Sequence, residues 1–306
     1  MGHDHHGHSH DHHHHHTNNK KALLLSFILI ATFMIVEVIG GLLTNSLALL
    51  SDAGHMLSDA VALGLSLFAF KLSEKAANAS KTYGYKRFEI LAALINGVTL
   101  LAISVYIFYE AYHRFFDPPN VSPMMLWIAI IGLIVNIVVA FILMSGGDTK
   151  GNLNMRSALL HVMGDLLGSV GAIIAGLLIL FFNWNLADPI ASIVVAVLIL
   201  ISGYRVTRDS FHILMEGTPT HLSYQEIEAA LMKLDNVINI HDLHIWMITS
   251  DFPSFTCHIV VEESTDRDQL LQKASALLKD TFQIEHTTIQ IEGVQADIQQ
   301  SENHCQ

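Results

Sequence analysis

Six long apolar runs, separated by short polar connections, fill the chain from Ala22 to Tyr204. They are Ala22–Leu43, Leu47–Phe70, Phe88–Tyr109, Met124–Met144, Leu153–Phe182 and Pro189–Tyr204. A helix that crosses a bilayer needs about 20 mostly apolar residues, so each run is read as one transmembrane helix. Composition agrees: 51% of the residues are hydrophobic and 14% are charged, against about 25% charged in an ordinary soluble domain. The acidic residues crowd after Phe211, so a soluble domain should follow the membrane domain. The expected division is a disordered, histidine-rich cytosolic tail over 1–21, a six-helix transmembrane transport domain over 22–208 and a cytosolic α+β domain for regulation and dimerisation over 209–306. The first apolar run is too long for the core of a signal peptide, and no cleavable leader is expected.

Lysine and arginine orient the helices. Lys20, Lys21, Lys71, Lys75, Lys81, Lys86, Arg87, Lys150, Arg156, Arg205 and Arg208 fall on one side, and Arg114 on the other. That asymmetry places both termini in the cytoplasm of a multi-pass protein of the cell membrane. Trp127 and Trp184 then reach the outer interface, where indole rings anchor. The net charge of −12 excludes nucleic acid as a partner. No nucleophile elbow, phosphate-binding glycine loop or nucleotide fingerprint occurs, so no enzymatic activity is expected. The two cysteines, Cys257 and Cys305, form no disulfide framework; Cys257 reads as a buried thiol in an apolar strand.

Charged side chains inside the bilayer are costly and mark function. The second run carries Asp52, His55 and Asp59 at i, i+3 and i+7, on one helical face. The fifth carries His161 and Asp165 at i and i+4. Ser51 stands four residues before His55, as Ser157 stands before His161. Two imidazoles and two carboxylates make a four-ligand set that suits tetrahedral zinc. The bland alternative, a helix-packing hydrogen bond, would explain one such pair but not two at matching spacing. Losing the metal leaves two facing carboxylates that repel, so protons should replace it. Four ligands leave no open coordination position for catalysis. Asp52 lies nearer the outer end and could line an exit path instead. Glu37 lies within the first run, while Glu89 and Glu110 read as helix-end residues.

After Arg208 the pattern predicts an αββαβ order. Ser223 to Glu226 is a capping box opening a helix to Leu234. Val237–Thr249 and Phe255–Glu262 read as strands around a turn over Ser250–Ser254. A helix over Asp266–Phe282 and a strand over Thr287–Glu292 complete the domain. Candidate metal ligands here are His241, His244, His258, His286 and Glu292, with His304 and Cys305 at the C-terminus. Regular alternation along strands keeps these histidines from all sharing one face. Ordinary surface histidines are the competing explanation. The tail holds His3, His5, His6, His8, His10 and His12 to His16, a tract suited to loose metal capture.

The segments NSLALLSDAGHMLSDAVAL (Asn45–Leu63), KTYGYKRFEILAALINGV (Lys81–Val98), HVMGD (His161–Asp165), LMEGTP (Leu214–Pro219) and HDLHIW (His241–Trp246) resemble the cation diffusion facilitator family, in particular its bacterial CzcD-like zinc, cadmium and cobalt exporters. The resemblance covers nearly the whole chain. It implies a homodimer, a metallochaperone-like cytosolic domain and proton-coupled export by alternating access. It also implies that His55, Asp59, His161 and Asp165 form the transport site, with histidine at the first position favouring zinc and cadmium. Zinc is then substrate and a ligand of the cytosolic domain; no resident cofactor is implied. The loop over Lys71–Arg87 lacks histidine, so a loop metal site known in some members is not expected. A rival class is a membrane-anchored metal sensor, which would bind metal without moving it. Manganese is disfavoured, because hard cations prefer oxygen ligands.

Overall fold

A computed structural model of the chain describes residues 12–44, 47–116, 123–182, 184 and 186–294. Within its helices some side chains, those of Glu37, Asp52 and His55 among them, fall outside the description. The histidine-rich tail up to Asp11, His304 and Cys305 also lie outside the described residues. The chain divides into two compact units, 1–210 and 211–306.

The first unit contains six helices: α1 (His12–Thr44), α2 (Leu47–Ser73), α3 (Phe88–Arg114), α4 (Pro123–Gly146), α5 (Leu153–Phe182) and α6 (Ala187–Leu214). Each apolar run becomes one helix. All but α5 overrun the hydropathy boundaries, furthest α1, which begins at His12 so that residues 12–21 of the expected disordered tail are helical, and α6, which continues to Leu214. Backbone hydrogen bonding continues a helix past the point where side chains turn polar, so apolarity marks the lipid-facing length and not the helix end. Four described stretches are long and apolar enough to cross a membrane: Asn19–Val36, Phe88–Arg114, Leu153–Phe182 and Pro189–Leu214. The described apolar part of α4, Ile130–Gly146, is shorter. The α2 helix carries the carboxylates and histidine noted above.

Leu23 and Ile30 of α1, Met56, Leu63 and Phe70 of α2, Val139 and Leu143 of α4, and Met155 and Val162 of α5 form one apolar core. Leu100 of α3 packs with Val195 and Ile199 of α6 in a second cluster that includes Leu160 and Leu167 of α5. The α3 and α6 backbones approach closely. A Cβ on Gly97 would stand 2.6 Å from Thr207 Oγ1, and one on Gly203 would stand 3.0 Å from Leu100 Cβ. Small residues allow such crossings where lipid supplies no hydrophobic drive between helices. Many large apolar side chains, such as Leu43, Val61, Phe141 and Phe181, remain exposed on the helices, as a lipid-facing surface requires. Trp127 and Trp184 are exposed too.

The second unit has the order α7 (Tyr224–Leu231), β1 (Val237–Thr249), β2 (Phe252–Val261), α8 (Arg267–Phe282) and β3 (His286–Gly293). The αββαβ expectation therefore holds. The Ser223 hydroxyl caps α7 by accepting from Glu226 N at 3.3 Å, and the Asp266 carboxylate caps α8 by accepting from Gln269 N at 3.0 Å. The α7 helix ends at Leu231 and not Leu234, and β2 already begins at Phe252, leaving a tighter turn than the sequence suggested. The sheet order is β1-β2-β3, with β1 antiparallel and β3 parallel to β2. Ile227, Leu231, Leu270 and Leu278 of the helices pack on Ile245, Phe255, Cys257 and Ile259 of the sheet. One sheet face is thus committed to the core, and the other carries the polar side chains.

Candidate metal centres

Hydrophobic patterning along α2 and α5 turns one polar stripe of each helix toward the other. Asp59 and His161 are 5% and 2% exposed. His161 Nε2 lies 3.1 Å from Asp59 Oδ1 and 3.9 Å from Asp165 Oδ2. One ligand atom from each of the three residues falls within 4.8 Å of the others. Asp165 and His161 are one turn apart on α5, which explains their joint approach to Asp59. Among the described residues His161 Nδ1 and Asp165 Oδ2 have no hydrogen-bond partner. Buried polar atoms left unpaired are rare and costly, so the cluster is built for something besides packing. His55 stands one turn before Asp59 in α2; its side chain and that of Asp52 lie outside the described residues.

Toward the α2–α3 and α4–α5 loops, the space beside this cluster is filled by a polar network that the sequence reading missed. Asn96 of α3 donates to Ser66 Oγ of α2 at 3.0 Å and to Ser157 Oγ of α5 at 3.5 Å. Asn154 Nδ2 donates to the Ser66 carbonyl at 3.0 Å. One level further, Glu89 accepts from Ser73 Oγ at 2.6 Å and from Asn152 Nδ2 at 2.8 Å. Glu89 does occupy a helix end, as expected, but it is only 3% exposed. Glu110 sits near the other end of α3, in an ion pair with Arg114 at 3.2 Å. The missed stripe was readable as a spacing: Asp59, Ser66 and Ser73 recur every seven residues along α2, and Asn96 interrupts an apolar run.

A second cluster lies on the polar face of the sheet. His241 Nε2 is 3.3 Å from Glu292 Oε2, and His258 Nδ1 is 2.8 Å from Glu292 Oε1. The two imidazoles meet edge-on with centroids 5.0 Å apart. Glu292 is 4% exposed and is held by Gln290 Nε2 at 2.8 Å. His241 and His258 are cross-strand partners. The expectation that strand parity separates the histidines does not hold. Between His241 and His244, β1 uses one more residue than β2, a bulge in which Asp242 takes φ of 51°. The extra residue restores the pleat, so Leu243 and Ile245 face the core while His241 and His244 both face away. Asp242 itself, not nominated from sequence, contacts His244 Nε2 at 2.9 Å and His258 Nε2 at 3.7 Å. The His244 hydrogen bond holds its carboxyl below the usual range. His286 shares the face but stands at the opposite end of β3, beside Phe252 and paired in register with Ser254.

A bundle of apolar helices enclosing two carboxylates and an imidazole, followed by an α+β domain with its own imidazole–carboxylate cluster, defines a multi-pass membrane protein equipped for cations. Residues 23–215 match the family model described as the cation efflux transmembrane domain, and residues 219–294 the one described as the cation efflux protein cytoplasmic domain. The chain belongs to the cation efflux, or cation diffusion facilitator, family. It is 57% identical to the cadmium, cobalt and zinc/H(+)-K(+) antiporter of Bacillus subtilis over 94% of this chain and 92% of that one. It is 44% identical to the zinc transporter ZitB of Escherichia coli, over 93% and 92%. It is 39% identical to the metal cation efflux system protein CzcD of Cupriavidus metallidurans, over 94% and 90%. This is a family of transporters and not of enzymes.

Proposed function

We propose that the protein exports zinc from the cytoplasm in exchange for protons, with cadmium and cobalt as alternative cargo. The observation that carries this reading is the approach of buried Asp59 and His161 and half-buried Asp165 across two membrane helices. His55, one turn from Asp59, would complete a two-histidine, two-aspartate set. An N/O set of that kind suits zinc at about 2.0–2.2 Å. The divalent charge offsets two carboxylates that would otherwise repel in a low dielectric, and protons perform the same office when the metal leaves. Site, cargo and counter-ion are therefore linked by charge balance. The names of the relatives point the same way.

The orientation that fits has the α2–α3 and α4–α5 loops and both termini in the cytoplasm, following the lysine and arginine asymmetry. The protein then resides in the cell membrane and works as a homodimer by alternating access. The His241–His258–Glu292 cluster would bind zinc from the cytoplasm, with Asp242 orienting His258 or joining the ligand set. His244 and His286 would stand beside it, while His304, Cys305 and the histidine-rich tail would supply looser capture.

Purified full-length protein in vesicles containing a zinc-sensitive dye tests this directly. Zinc should enter when a pH gradient is imposed, and Asp165→Ala should reduce entry to that of protein-free vesicles. A metal sensor would bind zinc stoichiometrically in both proteins and move none.

A further inference from the structure

The polar network between the cluster and the loops repeats itself along α3. Asn96 bridges Ser66 of α2 and Ser157 of α5. One heptad earlier, Glu89 bridges Ser73 of α2 and Asn152, which leads into α5. Ser73 lies seven residues beyond Ser66, just as Glu89 lies seven before Asn96, so the two levels are spaced about 10.5 Å apart along the helices. Seven-residue spacing returns a helix to nearly the same face, which is why one stripe of α3 can make both bridges. Each level joins the two helices that carry Asp59 on one side and His161 and Asp165 on the other. All but one of the six participants are buried or nearly so: Ser66 and Ser157 are 0% exposed, Asn96 and Glu89 3%, and Asn152 5%. The α5 positions beyond the cluster carry no comparable bridge among the described residues. A Cβ on Gly168 would meet nothing within 4 Å among the described residues, and the Asp165 side chain is 34% exposed.

We propose that Glu89 and Asn96 form a two-level clasp by which α3 holds α2 and α5 together on the loop side of the metal cluster, so that metal enters from that side only when both levels part. The inference rests on the proposed transport function, which makes the loop side the cytoplasmic one. Neither residue is a metal ligand in this reading; each positions the helices that are. Hydrogen bonds suit the task better than apolar contacts. They have a defined geometry, they are broken together, and water entering the opening can replace them at small cost. Glu89 also sits in the first turn of α3, where a carboxylate is favoured by the helix dipole. The clasp therefore closes without a large bias that would lock it. One hydrogen bond shifts a two-state equilibrium by about fivefold.

Removing a rung should populate the state open to the cytoplasm. The apparent dissociation constant seen from that side is the intrinsic one divided by the fraction of competent protein, so raising that fraction lowers the apparent KM for zinc. The maximal rate falls as well, because the loaded carrier closes less readily. Loss of folded protein alone would lower the maximal rate and leave KM unchanged, and loss of a ligand would raise KM. Zinc uptake is measured in vesicles, with zinc added to the outside over a range of concentrations, for the parent, Asn96→Ala and the milder Ser66→Ala. The clasp predicts that KM and maximal rate drop together by about threefold or more in both variants. Glu89→Ala should do the same. Glu89→Gln should move KM less than Glu89→Ala does, since Ser73 can accept where it donated before. A KM equal to or above that of the parent in both Asn96→Ala and Ser66→Ala overturns the clasp, while the zinc flux of the parent and its loss in Asp165→Ala keep the transport reading intact. A parent that moves no zinc overturns both together.

Discussion

Burial in the sheet core pushes the Cys257 thiol up from 9.0 to about 12, because an apolar surround disfavours the thiolate. Its contribution to stability is complete below the unfolded value, where both states hold the proton. Above it the unfolded thiol ionises and the folded one does not, so that contribution is lost as pH rises from about 9 toward 12. Peptide mass spectrometry should find Cys257 unalkylated by iodoacetamide at pH 8 in the folded chain and fully alkylated after denaturation. Modification of the folded protein would place the thiol at the surface. The residue was legible in the sequence, as an unpaired cysteine in an apolar strand is most often core. Asp59, His161 and Asp165 were legible for the opposite reason: a charge inside an apolar helix is expensive enough to need a cause. Asn96 and Ser66 escaped notice because neutral polar groups in membrane helices cost little and find local partners. Asp242 escaped because an aspartate between two histidines reads as surface until the strand register is known.

At the level of the element, periodicity predicted what would form better than how the pieces meet. The six helices and the αββαβ order follow from apolar runs, Ser223 and the alternating strands. The bulge at Asp242 follows from none of these, since it depends on which residue of β2 opposes His241. Its effect on the candidate site is direct, because it turns His241 and His244 to one face. The α3–α6 crossing is also a property of pairs. Gly97 and Gly203 look like ordinary glycines of apolar helices until their neighbours are placed. Gly203→Val should force α6 away from Leu100 and cost about 1–3 kcal/mol, the range for overpacking a close contact. Thermal unfolding followed in detergent should show a lower midpoint for Gly203→Val than for Gly168→Ala, whose Cβ meets open space. Equal midpoints would mean that α3 and α6 do not approach as described.

At the level of the molecule, the two units place imidazole–carboxylate clusters in two different solvents. The cluster in the helices would move a cation in the function proposed above, its two carboxylates taking either metal or protons as the balancing positive charge. The cluster on the sheet lies outside the helical unit and, in the function proposed above, would bind zinc from the cytoplasm. Removing the second should spare the first. Glu292→Ala is expected to lower bound zinc by about one ion per chain, measured by elemental analysis of full-length protein, while zinc flux through the membrane unit persists. The most direct test of the central claim, exchange of zinc for protons at Asp59, His161 and Asp165, records both ions at once. Vesicles carrying the full-length protein, an internal zinc dye and an internal pH dye receive zinc at equal pH on both sides. The account predicts that zinc entry drives proton exit, so the interior turns alkaline, and that both signals vanish together in His161→Ala and Asp165→Ala. Zinc entry without a pH change, or entry that survives those substitutions, would contradict it.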